Sequence, residues 1–307
     1  MRTPSPARRG RLWIIAPIVT ALVLLGPNLT AGASYPGANG EIAYLDGLTF
    51  RAVQPDGSND RVYVPIHFPQ DLSFSLDGSH AIVSNYGKLA ARIVLVDLVA
   101  HTRTPVVRTG HAPTPAITSV ALSPDGSSVV FCDGILHGNL WTVAIDGTAM
   151  TEIAKGYCFA DWSVDDRIVA SRTRSDGERI VATMDSDGGH RQVIVALPPR
   201  KRRAYSFDLR PRWSPDGASV VFGAQRNRIY PEIWLVNSDG SNLQNLTHTT
   251  RSEFDPVFSP DGLHIVYARW THIYRNGLWM MDSGGTNQAE LLVRPSGQEH
   301  PLAWRPT

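Results

Sequence analysis

The sequence predicts an all-β chain folded as a six-bladed β-propeller, each blade a four-stranded antiparallel sheet, closed by a C-terminal strand in blade 1. Three observations lead there. A Ser-x-Asp-Gly-like block recurs with its serines 48, 40, 51 and 45 residues apart. A short run of β-branched and aromatic residues follows each block, and about twenty residues further on an alternating strand ends in a second turn. After residue 34 no segment of helix length carries an apolar 3.6 period.

The five blocks are Phe74-Ser75-Leu76-Asp77-Gly78, Leu122-Ser123-Pro124-Asp125-Gly126, Trp162-Ser163-Val164-Asp165-Asp166, Trp213-Ser214-Pro215-Asp216-Gly217 and Phe258-Ser259-Pro260-Asp261-Gly262. Asp-Gly supplies the positive φ that a tight hairpin needs, and a preceding proline fixes φ at the first corner. The runs after them (Ala81-Ile82-Val83, Val129-Val130-Phe131, Ile168-Val169-Ala170, Val220-Val221-Phe222, Ile265-Val266-Tyr267) are second strands. Third strands end at Asp146-Gly147, Gly188, Asp239-Gly240 and Gly284.

Each unit thus holds strands A, B, C and D. One such sheet cannot bury both faces alone, and stacking copies around an axis does so. The 274 residues from Ser34 to Thr307 accommodate six units of about 46 residues only if the two ends share a blade. Residues 35–66 supply strands B, C and D without an A, and His300-Pro301-Leu302-Ala303-Trp304-Arg305-Pro306 is an orphan A strand. Placing it beside Ile42 leaves no inner edge unpaired.

Composition narrows the function classes. Gly 26 and Pro 22 exclude a long-helix protein, and Trp 8, Tyr 9 and Phe 9 exclude a disordered one. Two cysteines cannot build a disulfide miniprotein or a four-cysteine zinc site. Lys plus Arg is 29 against 28 for Asp plus Glu, so no single-sign field exists to hold nucleic acid.

Residues 1–33 have the layout of a secretory signal. Arg2, Arg8, Arg9 and Arg11 precede the apolar run Leu12–Leu25, and Ala31-Gly32-Ala33 offers small residues for cleavage. As a helix this run spans about 21 Å, short of the roughly 30 Å hydrocarbon core. The expectation is an exported, periplasmic or secreted monomer, with an uncleaved membrane tether as the alternative. Without the leader, 25 bases face 28 acids, a net charge of −3.

The Trp-Ser-Pro-Asp-Gly block followed by an Ile-Trp-x-Val-x-x-Asp-Gly strand resembles the TolB-like propeller repeat of bacterial exported proteins. Residues 205–296 carry the pattern best, and the opening Tyr35-Pro36-Gly37-Ala38-Asn39-Gly40-Glu41-Ile42-Ala43-Tyr44 is similar to the start of mature members. Leu76 replaces the proline of blade 2, and Val164 and Asp166 replace Pro and Gly in blade 4. The resemblance implies a fold more than a function. Because the leader runs straight into blade 1, no Tol–Pal partnership is carried over. No Gly-x-Ser-x-Gly elbow occurs, so the hydrolase machinery of related propeller peptidases is not expected.

In such a ring the short A–B and C–D turns share one end, and the long, varied B–C and D–A connections share the other. Binding is expected at the loop-bearing end and the channel mouth. Candidate residues there are His67, His111, His137, His248, His272 and His300. Convergence of three or more of these would favour a metal site and an extracytoplasmic enzyme, such as a polysaccharide lyase or lactone hydrolase. The A strands bring Asp71, Asp161, Asp208, Arg210, Arg212 and Asp255 near the axis, where they could bind a polar ligand or form an ion-pair network. Arg202 and Arg203 belong to the basic run 200–203, which could grip an acidic partner. Trp270, His272, Tyr274 and Arg275 form an aromatic and basic cluster on blade 6. Cys132 and Cys158 end up on one face in adjacent blades and form a disulfide candidate. The preferred reading is a non-catalytic binding scaffold for a protein or cell-envelope partner, with no cofactor or metal and no nucleic acid.

Overall fold

Why each turn closes is visible in blade 3. Ser123 Oγ donates to Asp125 Oδ1 at 2.6 Å and accepts from Ser128 N at 2.9 Å, while Asp125 Oδ1 accepts from Ser127 N at 2.9 Å. Side chains thus satisfy the backbone that the corner leaves unpaired. Blade 4, which lacks the glycine, keeps the corner with Asp166 at φ 62°. Asp tolerates the left-handed region better than most residues, and here its carboxylate accepts from Trp162 Nε1 at 2.8 Å and Ser186 Oγ at 2.9 Å.

The computed structural model describes residues 35–47, 49–63, 66, 69–85, 91–108, 117–134, 138–199, 209–226, 230–272, 275–293 and 299–307, with the backbone alone for Ala91, Arg92, Thr271, His272 and Arg275. Blade 1 consists of β1 (Asn39–Asp46), β2 (Thr49–Val53), β3 (Arg61–Val62) and, innermost, the final strand (Glu299–Pro306). Blade 2 is β4 (Pro69–Phe74), β5 (His80–Asn85), β6 (Ala91–Asp97) and β7 (Thr102–Arg108). Blade 3 is β8 (Ser119–Leu122), β9 (Ser128–Cys132), β10 (Asn139–Ala144) and β11 (Thr151–Lys155). Blade 4 is β12 (Cys158–Trp162), β13 (Arg167–Thr173), β14 (Arg179–Asp185) and β15 (Gln192–Leu197). Blade 5 is β16 (Arg212–Trp213), β17 (Ser219–Ala224), β18 (Glu232–Asn237) and β19 (Gln244–Asn245). Blade 6 is β20 (Glu253–Phe258), β21 (His264–His272), β22 (Arg275–Asp282) and β23 (Ala289–Leu292), and the final strand is β24.

The ring closes as the repeat predicts. β24 pairs antiparallel with β1, Ile42 opposite Trp304, and Trp304 Nε1 donates to Gly40 O at 2.9 Å. The innermost strands touch in order around the axis: β24, β4, β8, β12, β16, β20 and back to β24.

Six hydrophobic clusters fill the six spaces between neighbouring blades. Strand alternation explains them. On β9, Val129 and Phe131 face blade 2, while Val130 and Cys132 face blade 4. Both faces of the two inner strands of each blade are buried, so these strands read as continuous apolar runs rather than alternating ones.

Candidate functional site

The innermost strands carry the polar residues of the axis. β4, β12 and β20 each contain a register shift against the neighbouring strand. Four residues before the turn serine, blades 4, 5 and 6 hold a non-glycine residue at positive φ: Phe159 at 54°, Arg210 at 36° and Asp255 at 52°. Such backbone costs about 1 kcal/mol or more per residue. It persists because the surrounding side chains hold it.

The deepest layer is built on Arg212. Its guanidinium reaches Asp71 Oδ1 at 3.3 Å and Asp161 Oδ1 at 3.8 Å. Blades 2 and 5 are opposite in a six-membered ring, so the Arg212–Asp71 pair spans the axis. Each acid also ties its blade to the next: Asp71 Oδ2 accepts from Val120 N at 3.1 Å, and Asp161 Oδ2 accepts from Trp213 N at 2.8 Å. Only about 10 Å³ of open space remains beside Arg212 and Asp161, about one water's worth. Burial pushes Asp161 up to about 6 against the pull of Arg212 and the backbone donors. Burial raises Asp71 as well, again partly offset by Arg212.

Nearer the loop-bearing end, Arg210 Nε lies 3.3 Å from Asp255 Oδ1, and its guanidinium covers the Phe159 ring at 5.1 Å. His300 Nδ1 sits 2.9 Å from Asp255 Oδ2, and its Nε2 lies 3.2 Å from Asn276 Nδ2. Burial works to raise the Asp255 pKa, and Arg210 with the His300 hydrogen bond outweighs it, leaving the group below the usual carboxylate range. Phe254 stands between His300, with ring centroids 5.3 Å apart, and Trp270, at 6.1 Å. Side-chain exposure of 27% for Arg210 and 35% for His300, against 10% for Arg212, makes this layer the accessible mouth.

At the opposite end the axis is covered by the first described residue. Gly37 N donates to Pro260 O of blade 6, and Tyr35 Oη donates to Leu122 O of blade 3 at 3.2 Å, so the segment crosses from one side of the ring to the other. Tyr35 is 1% exposed. Among the described residues, the axis is therefore covered at the turn-bearing end and more exposed toward the loop-bearing one.

Of the residues singled out from sequence, Asp71, Asp161, Arg210, Arg212 and Asp255 come together on the axis. His300 joins them there as a partner of Asp255. His248 stands apart, 3.3 Å from Asn245 Nδ2 on blade 5. His67, His111, His137, Arg202, Arg203, Asp208 and Tyr274 lie outside the described residues, as do the side chains of His272 and Arg275. Among the described residues no three His, Cys, Asp or Glu side chains group as metal ligands. Cys132 and Cys158 are bonded to each other across blades 3 and 4, Cα atoms 5.1 Å apart. Sequence reasoning missed Tyr35, Phe159 and Phe254. The first lies outside the strand repeat, and the other two look like ordinary core aromatics.

A family model described as TolB beta propeller domain matches residues 49–307. The chain belongs to this family. Among solved structures, TolB from Acinetobacter baumannii is similar at 19% identity, over 87% of this chain and 67% of that one, with a TM-score of 0.68. A putative TolB from Agrobacterium tumefaciens is similar at 18% identity, over 88% and 99%, with a TM-score of 0.62. An oligogalacturonate lyase in complex with manganese is similar at 17% identity, over 85% and 75%, with a TM-score of 0.52. At these identities the likeness is one of fold. No curated protein matches the chain. Among the described residues of this TolB-family propeller, no helix is long and apolar enough to cross a membrane.

Proposed function

We propose that the chain is an exported, non-catalytic binding module that presents its loop-side funnel to a protein or other cell-envelope partner. The observation that carries this reading is the state of the axial ionisable groups. Asp71, Asp161 and Asp255 are each engaged by an arginine, and each accepts a further hydrogen bond from a backbone N–H or from His300. General acid–base work needs a carboxyl free to meet a substrate proton, whereas these are consumed in joining blades. What the mouth offers instead is Arg210, His300 and the partly exposed Trp270. Arginine and tryptophan beside a concave site are the residue types that anchor protein partners.

The test is chemical cross-linking in the native envelope followed by capture of the tagged full chain. Arg210→Ala with Trp270→Ala is expected to lose the partner that the wild type retains, with the fold intact by thermal unfolding. The same partner recovered equally by both proteins contradicts the assignment of the surface.

A further inference from the structure

The ring of Asp-Gly turns at the other end is not continuous. Each turn glycine should pack on the preceding blade's turn. A methyl group built on Gly78 would lie 2.0 Å from Pro306 O, on Gly217 3.2 Å from Asp165 Oδ1, and on Gly262 3.9 Å from Pro215. Built on Gly126 it would meet nothing within 4 Å. The ring of A–B turns is open between blades 2 and 3, above the packed joint between them.

Two departures from the repeat coincide with the gap. The residue before the turn serine is a buried aromatic in the other blades (Phe74, Trp162, Trp213, Phe258 and, in blade 1, Trp304), but Leu122 in blade 3. The proline position of blade 2 holds Leu76. A cleft of about 780 Å³ results, within the volume range of ligand sites. Leu76, Leu122, Ile145 and Val164 line it with apolar surface, and Asp77 and Asp125 stand at its rim. Burial raises Asp77, but donors from Ser75 and Ser79 outweigh it; Ser123 and Ser127 lower Asp125. Both carboxylates are therefore ionised at neutral pH. No lysine or arginine lines the cleft among the described residues, and its single imidazole, His80, donates to or accepts from Ser79 Oγ at 2.7 Å.

We infer that this cleft docks an extended peptide segment of a partner protein, which inserts an aliphatic side chain between blades 2 and 3 and flanks it with lysine or arginine. The apolar floor selects the inserted side chain by burial. The two rim carboxylates select the flanking cations, and they repel phosphate-bearing lipid surfaces and nucleic acid. Tyr35 closes the axis beside the cleft, so the segment lies between blades instead of entering the channel.

The probe is a blocked heptapeptide, acetyl-Gly-Ser-Lys-Leu-Lys-Ser-Gly-amide, titrated by calorimetry into the full exported chain at low salt. Controls replace both lysines by glutamate, or the leucine by alanine. Saturable binding is expected, about tenfold tighter than for either control. Val164→Lys and Leu76→Lys, both at partly exposed positions, should each weaken binding about tenfold while unfolding remains cooperative. Arg210→Ala should leave it unchanged, which separates this surface from the loop-side funnel. Equal affinity for lysine- and glutamate-flanked peptides, no saturable binding, or indifference to both lysine variants overturns the inference.

Discussion

Blade 5 meets blade 6, and blade 2 meets blade 3, through copies of one motif, yet the two joints are built differently. At the 5–6 joint Pro215 backs Gly262, and Phe258, Tyr267 and Met281 of blade 6 pack against Val221 and Ile233 of blade 5. At the 2–3 joint a methyl built on Gly126 would meet nothing within 4 Å, while below the turns Leu122, Val129 and Phe131 of blade 3 pack against Ile82, Ile93 and Val107 of blade 2. Blade 3 is held on its other side by a covalent bond as well, where Cys132 is bonded to Cys158 of blade 4. A repeat thus specifies the ring by averages. Where it lapses, at the 2–3 turns, a cleft opens over a joint that is packed beneath.

The sharpest way to break this comparison is on the axis, which serves all joints at once. Arg212→Ala leaves Asp71 and Asp161 buried without their cation and should cost about 3–5 kcal/mol in urea unfolding at pH 7. Arg210→Ala, at the more exposed mouth, should cost about 1 kcal/mol. Equal losses would contradict the division into a sealed layer and an open one.

Second, Cys132→Ser with Cys158→Ser releases a staple with a sequence separation of 26 residues. The chain-entropy relation gives a loss of about 3.5 kcal/mol. Thiol titration of the full chain purified without reductant should find both cysteines blocked until a reductant is added.

Third, Asp161 makes stability depend on pH with a defined sign. Its folded pKa, about 6, is raised above the unfolded carboxylate value. The folded chain therefore holds a proton that the unfolded chain has lost between about pH 4 and 6, and the Asp161 contribution falls as pH rises through that window. Asp255, lowered in the fold, has the opposite sign: its contribution is present above the ordinary carboxylate range and is lost as pH falls. Urea titrations of wild type against Asp161→Asn should show the wild type losing ground to the variant from pH 4 to 6.

The smallest effects separate the two joints themselves. Gly78→Ala meets a positive φ of 63° and the Pro306 carbonyl, while Gly126→Ala meets only a φ of 71°. The first should cost about 1–3 kcal/mol more than the second, whose loss is the backbone penalty of about 1 kcal/mol alone. Matching melting temperatures would mean that the 2–3 joint is closed in solution.

Much of this was legible in the residues. The block spacing places the turns, the apolar runs place the second strands, and the orphan strand around Trp304 predicts closure beside Ile42. Asp161, Arg210, Arg212 and Asp255 belong on the axis because the A strand of a propeller lies innermost. What the pattern lacks is direction across the axis. Nothing in the spacing says that Arg212 reaches the opposite blade, or that Tyr35 crosses beneath the funnel. Short Asp-Gly turns give no reason to expect a site at their end, and the cleft beside Gly126 lies there. Its signal was present as Leu122 in an aromatic position and Leu76 in a proline position, but a missing side chain is informative only once its neighbours are known to converge.

The most direct test of the sealed axis is a double-mutant cycle on Asp71→Asn and Arg212→Gln, measured by urea unfolding at pH 7. Residues joined across the axis should show a coupling of about 1.5 kcal/mol or more. Additivity within about 0.3 kcal/mol would mean that opposite blades do not touch through this pair, and that the axis is not sealed at this layer.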